Sequence, residues 1–374
     1  MIEAETLQQT IVASVVTQRP TPSGAEHVFV NNIRHWSMFA IVLIHCYVFA
    51  AGSTLELPFG TEMFVQAAKF GTIGFFFISG FLLGERVEAR GRLEYFKRRL
   101  RRLCVPWMFW IAAYCCLLVV GHAVLQEVLP TFDEIASLVF QALFNTAYWF
   151  VPNMLLASAM MLAFARYIEG WRFGGALLGA ALFYAANIYG HWIPSQHSTA
   201  VFGFVGYLWL GAWSSRNWEK VRRVLSQFPP RLLLCLAILA WALCLAEAHH
   251  LRSLGSIDPL NALRISNQAF SIVVVMLFLK LSKPAWPKFI NVREHTFGLY
   301  LTHSLVLVLV MRVLKQYTGS GPASSALGRF GLGTLAFALT YAGSVILTKW
   351  LAAHPKLNWS VGAKAKGNWE RSAP

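Results

Sequence analysis

The sequence predicts an all-α integral membrane protein, a bundle of about ten transmembrane helices with both termini in the cytoplasm. Three observations carry this. Of 374 residues, 56% are hydrophobic and only 13% charged, with a mean hydropathy of +0.52, whereas soluble domains carry about 25% charged residues. Ten apolar windows approach the roughly 20 residues that cross a hydrocarbon core of about 30 Å. Lys and Arg are also distributed very unequally between alternate connections, the pattern that orients a membrane protein.

In chain order, the windows fall at 36–51, 63–84, 104–128, 149–168, 174–190, 199–213, 232–248, 265–281, 295–314 and 330–350. Segment 135–148 is also apolar and reads as a partial or re-entrant helix beneath the fourth window. In the second window, Gly71, Gly74, Gly80 and Gly84 surround Phe75-Phe76-Phe77, a spacing of small and bulky residues that suits close helix packing. Trp107, Trp110, Trp149, Trp192, Trp213 and Trp350 lie near window ends and are expected in the interfacial aromatic belt. Alternate connections divide the charge. One side holds 26 of the 32 Lys and Arg and the other holds 5, with Lys69 inside the second window. The layout is then a cytosolic head at 1–35, a transmembrane domain at 36–350 and a cytosolic tail at 351–374. The tail carries Lys356, Lys364, Lys366 and Arg371 and is expected to contact anionic lipid. The head lacks the pattern of a cleaved secretory signal, so the first helix is expected to remain in the mature protein.

Several function classes are disfavoured. A formal charge of +15 raises the question of nucleic acid, but positive loops and lipid contact account for it and no nucleic-acid motif accompanies it. The six Cys lie in or beside apolar stretches without CxxC spacing and read as packing residues. No HExxH, Cys/His zinc spacing, Walker loop or GxGxxG context appears, so no metal is expected. Carboxylates such as Glu56, Glu62, Glu85, Glu127, Glu169, Glu247 and Glu294 fall at or near window ends, which disfavours a coupled transporter.

Ionisable side chains inside apolar windows are costly and point to function. His45 in the first window and His303 in the ninth lead this short list, with a histidine bonded to a neighbouring helix as the plainer alternative. Arg34 precedes His45 by eleven residues, close to three helical turns, so the two share a face about 16 Å apart along the axis. A cation then stands at the mouth, and a base with an ordinary pKa near 6.5 stands near mid-membrane. Such a base can take a proton from a hydroxyl, and arginine can grip phosphate. Arg98, Arg99 and Arg102, in the run after the second window, have two readings: topology and lipid binding, or the phosphates of a nucleotide-bearing donor. Ser79 is rejected as a nucleophile, because no GxSxG elbow or nearby acid or base accompanies it.

These residues together resemble the membrane-bound acyltransferase family 3, met in bacteria as O-acetylases of surface and secreted glycans. The resemblance runs through Asn31-Asn32-Ile33-Arg34 to His45, Phe75-Phe76-Phe77-Ile78-Ser79-Gly80-Phe81-Leu82, the Arg run ending in Pro106-Trp107, Trp149-Phe150, and His295 through His303. Asn31 stands where the family commonly has Asp, His35 where a small residue is usual, and Val105 where the first of two prolines stands. The resemblance implies an acyl-CoA donor, acetyl-CoA first, entering from the cytosol. It implies His45 as catalytic base beside Arg34, the Arg98 to Arg102 cluster at the donor, and a glycan or lipid-linked glycan acceptor often presented from the far side. Trp149, Tyr300 and His303 become candidate substrate-binding residues. It also implies a multi-pass protein of a bacterial inner membrane, in a stand-alone form without an appended hydrolase-like domain. The competing expectation is an exporter of glycan or lipid with Arg34 and His45 along its path, and acyl-CoA binding separates the two.

Overall fold

The computed structural model describes residues 28–52, 57–126, 129–318 and 325–363. The expectations for residues 1–27 and 364–374, with Lys364, Lys366 and Arg371, and for Glu56 and Glu127, lie outside these residues. Every regular element described is helical.

The chain opens with α1 (Val28–Ala51), which carries Arg34 and His45 on one unbroken helix. α2 (Phe59–Ala68) and α3 (Gly71–Arg90) follow, and together they supply one span, Phe59–Glu85. α4 (Arg92–Gln126) begins with the arginine run and keeps Pro106 in its interior. α5 (Phe132–Phe144) starts at a reciprocal cap. Thr131 Oγ1 accepts from the Glu134 backbone N–H, and Glu134 Oε2 accepts from the Thr131 N–H, satisfying two otherwise orphaned donors. A 3₁₀ turn at Ala147–Trp149 leads into α6 (Phe150–Ala163), and the chain bends by 67° between the α5 segment and the next. The expected partial helix under the fourth window is therefore α5. α7 (Trp171–Gly190), α8 (Val201–Arg216), the short α9 (Trp218–Ser226) and α10 (Pro230–Ser253) come next. α11 (Ile265–Leu279), α12 (Val292–Thr318) and α13 (Ala326–Ala353) complete the bundle.

The count of ten spans is not reproduced. Among the described residues, seven helices or helix pairs are long and apolar enough to cross a membrane, and eight if the bent α5–α6 pair is one span. Length is the physical reason. α6, α8 and α11 have 14, 16 and 15 residues, and at about 1.5 Å per residue none reaches 30 Å. Apolar composition alone cannot separate such a buried core helix from a lipid-crossing one.

Burial orders the layers. The α2–α3 window is 67% buried and that of α1 56%, whereas the α4 and α10 windows are 17% and 28% buried and present apolar side chains outward. α3 and α8 meet at contact distance through the predicted glycines. A Cβ on Gly80 would stand 1.8 Å from the Leu208 carbonyl oxygen, and one on Gly211 would stand 1.9 Å from that of Phe77. Gly71 and Gly74 play the same part against Ser37 on α1. Overpacking of this kind costs about 1–3 kcal/mol, so Gly80→Ala is expected to lower the melting temperature of the detergent-solubilised protein. Gly175→Ala, where the added Cβ meets nothing within 4 Å, serves as the control.

Two of the six expected belt tryptophans are internal. Trp110 and Trp149 are 6% and 7% exposed, and the Trp110 indole N–H donates to the Ser360 carbonyl. Their place near a window end put them at the interface in the sequence, but packing against other helices takes them inside. Trp192 and Trp350 are exposed as expected, and all six cysteines are free thiols.

Candidate active site

Three cavities lie along α1 in the order of its residues. The first, of about 330 Å³, is lined by Arg34, Arg98, Arg99, Arg102 and Arg293, with Tyr95, Phe150 and Tyr300 among its other walls. Among the described residues, no carboxylate lines it. The second is a small chamber of about 60 Å³ bounded by Ile41, Ile44, His45, Lys69, Trp149, His197 and the same Phe150 and Tyr300. The third, about 360 Å³, begins at His45 and continues past Val48, Phe49 and Gly52 to Asn145, Ser304 and Lys315. Arg34 and His45 are thus set about 16 Å apart on one helix, and each faces a cavity. His45 is the residue common to the chamber and the far cavity. Phe150 and Tyr300 are common to the chamber and the arginine cavity.

The arginines are held in different ways. Arg34 Nη1 donates to Asn31 Oδ1 at 3.3 Å, so the side chain at the family's Asp position does touch this arginine, as a neutral amide. Arg99 donates to Tyr95 Oη at 3.1 Å and to Ser79 Oγ at 3.2 Å, so Ser79 serves as a hydrogen-bond acceptor for a cavity arginine. Arg98 pairs with Glu94 at 2.6 Å on a solvent-exposed face one turn away. Arg293 stands at the start of α12, and its place in this cavity comes from the packing of that helix.

The chamber wall is pinned by a crossed pair of tyrosine hydroxyls. Tyr148 Oη donates to the Leu301 carbonyl at 2.9 Å and Tyr300 Oη to the Ala147 carbonyl at 2.5 Å, which locks the 3₁₀ turn of Trp149 onto α12. His303 is fully buried. Its Nδ1 lies 2.6 Å from the Tyr300 carbonyl, an arrangement that puts the proton on Nδ1. Among the described residues its Nε2 has no hydrogen-bond partner, and its ring centroid lies 5.5 Å from that of His45. All the candidate residues, Arg34, His45, Arg98, Arg99, Arg102, Trp149 and Tyr300, therefore line one of these cavities, and His303 stands directly behind His45.

Sequence reasoning missed Lys69, His197 and Asp258. Lys69 did carry a signal, as a lone cation in an apolar window. His197 and Asp258 lie in connections 61 residues apart and meet only in the fold, where Nδ1 and Oδ2 are 2.8 Å apart. Burial pushes the Asp258 carboxyl up. The His197 ring, Lys69 and the His197 N–H outweigh that and hold it below the ordinary value, so it is an anion at neutral pH. Elsewhere, Glu62 is bound through both oxygens to Arg252 Nη1 at 2.8 Å, and Glu247 accepts from Tyr189 and Ser266. These carboxylates are held as helix-to-helix ties.

An apolar helical bundle with several helices long enough to cross a bilayer is a multi-pass membrane protein, and this one gathers cations in one cavity and histidines in the next. A family model described as "Acyltransferase domain", that of acyltransferase family 3, matches residues 27–349. The chain belongs to this family and is a membrane acyltransferase. No curated protein and no solved structure matches it. The matched stretch includes every residue that lines the three cavities.

Proposed function

We propose that this acyltransferase moves an acetyl group from acetyl-CoA to a hydroxyl of a carbohydrate, an exported or cell-surface polysaccharide or its lipid-linked precursor. The observation that carries the reading is the cavity lined by five arginines, which adjoins a chamber containing His45. A cluster of guanidinium groups lining one cavity suits the phosphates of a CoA donor. Arg34, Arg98, Arg99 and Arg102 hold that end, and the acyl-bearing arm passes between Phe150 and Tyr300. His45 takes the proton from the acceptor hydroxyl as its oxygen bonds to the thioester carbonyl carbon. The C–S bond then breaks, and the same proton passes to the leaving thiolate. Trp149, Tyr300 and His303 shape the acceptor side. The bias of Lys and Arg supports cytosolic termini, with the arginine cavity open to cytosolic acyl-CoA and the far cavity to the opposite side. The setting that fits is a bacterial inner membrane.

The test follows label from radiolabelled acetyl-CoA in membranes containing the wild-type or His45→Ala protein at matched abundance, supplied with a glycan or lipid-linked glycan fraction. Label is expected in glycan with the wild type alone. Equal label from both would remove His45 as the base. Arg34 Nη1 donates to the neutral amide of Asn31, and an aspartate there would add an anion beside it. Asn31→Asp is accordingly expected to raise the half-saturating acetyl-CoA concentration by about two- to fivefold, the effect of one partly exposed ion pair. Initial rates against donor concentration measure this.

A further inference from the structure

His197 is built into the wall of the His45 chamber. Its Nδ1 lies 2.8 Å from Asp258 Oδ2, its backbone N–H donates to that same oxygen at 3.4 Å, and Trp149 packs edge-on against its ring with centroids 5.2 Å apart. Asp258 is fixed in its turn, because Asn261 Nδ2 donates to Oδ2 at 3.1 Å. The connection that carries both is anchored by Arg264, fully buried, which donates to the Cys244 carbonyl at 2.8 Å and to Gln66 Oε1 at 2.5 Å. A carboxylate on Nδ1 keeps the imidazole proton there, so Nε2 is left as a hydrogen-bond acceptor. His197 lines the chamber and neither of the two larger cavities. Lys69 lines the same chamber. The chamber, about 60 Å³, has room for a few waters or for the hydroxyl-bearing edge of one sugar ring.

We propose that His197, held by Asp258, is an acceptor-binding residue whose Nε2 accepts a hydrogen bond from a second hydroxyl of the acceptor, beside the hydroxyl that His45 deprotonates. Lys69 donates to the oxygen of that second hydroxyl. The acceptor class is then a diol, as a sugar ring supplies, in preference to an isolated alcohol. No covalent step occurs at His197. The inference rests on His45 as the base of the acyl transfer, and it adds the group that selects and orients the acceptor.

The experiment uses the same membranes and labelled acetyl-CoA, now with a dilution series of the glycan fraction. His197→Ala is expected to raise the glycan concentration for half-maximal labelling by about tenfold, the value of one lost hydrogen bond. The half-saturating acetyl-CoA concentration and the limiting rate stay within about threefold, because donor binding and the base are untouched. His197→Asn, which restores a hydrogen-bonding side chain, recovers part of the loss, and Asp258→Asn shifts the glycan dependence in the same direction as His197→Ala. If His197→Ala does not accumulate, His197→Asn and Asp258→Asn carry the comparison. An unchanged glycan dependence overturns the inference. So does a lost limiting rate at unchanged half-saturation, which would place His197 in proton transfer. Absence of transfer by the wild-type protein would instead overturn the function proposed above, and the inference with it.

Discussion

His45→Ala is expected to lower the rate of acyl transfer by about 10²- to 10⁴-fold, the range that a positioned general base contributes, while donor affinity stays near that of the wild type. The geometry separates the two effects. His45 lines the chamber and the far cavity but not the arginine cavity, so its loss leaves the cavity arginines in place. Initial rates with labelled acetyl-CoA measure the first quantity, and equilibrium binding of acetyl-CoA to the solubilised protein measures the second. His45→Gln retains a hydrogen-bonding side chain of similar length but cannot take up a proton, and it is expected to fall with the alanine variant. Substantial activity in His45→Gln would show that His45 orients the acceptor and that the proton goes elsewhere.

Arg34→Ala is expected to act at the other end of the same helix face. A charge-assisted hydrogen bond to phosphate is worth about 1.5–3 kcal/mol, which predicts a rise of about 10- to 100-fold in half-saturating acetyl-CoA. The limiting rate should change far less, because Arg34 stands about 16 Å from His45 along α1. Acetyl-CoA titrations at two ionic strengths check this. The wild-type affinity should fall with added salt more steeply than that of Arg34→Ala, because one cation fewer faces the phosphates. A loss confined to the limiting rate would remove Arg34 from the donor site. Because Arg98 is already paired with Glu94 on an exposed face, Arg98→Ala is expected to have a smaller effect than Arg34→Ala.

Much of this protein was legible in its residues one after another. Low charge, long apolar windows and the charge bias between connections identify an all-helical membrane protein because the solvent around each segment selects its composition directly. The stripe from Arg34 to His45 was legible for a similar reason, since 3.6 residues per turn fixes which side chains share a face of one helix. The small residues at Gly80 and Gly84 marked a close helix contact, but not which helix would fill it, and α8 does so through Gly211.

Other features depended on where helices meet. Whether an apolar run crosses the bilayer or is buried within the bundle is a matter of its neighbours and its length, and α6, α8 and α11 are each too short to span by themselves. Trp110 and Trp149 were placed at the interface because a tryptophan near a window end looks the same whether lipid or another helix covers it. Arg293 joined the arginine cavity only through the packing of α12. His197 and Asp258, in separate connections, carried no local periodicity and no motif, and a 2.8 Å contact across 61 residues is a property of the folded chain alone. Composition and helical periodicity are set by each segment's own solvent and geometry, so the sequence by itself determined the class, most of the helices and the stripe that Arg34 and His45 share. The chamber, its shared aromatic walls and its second histidine arise from side chains distant in sequence, so only the tertiary structure decided them.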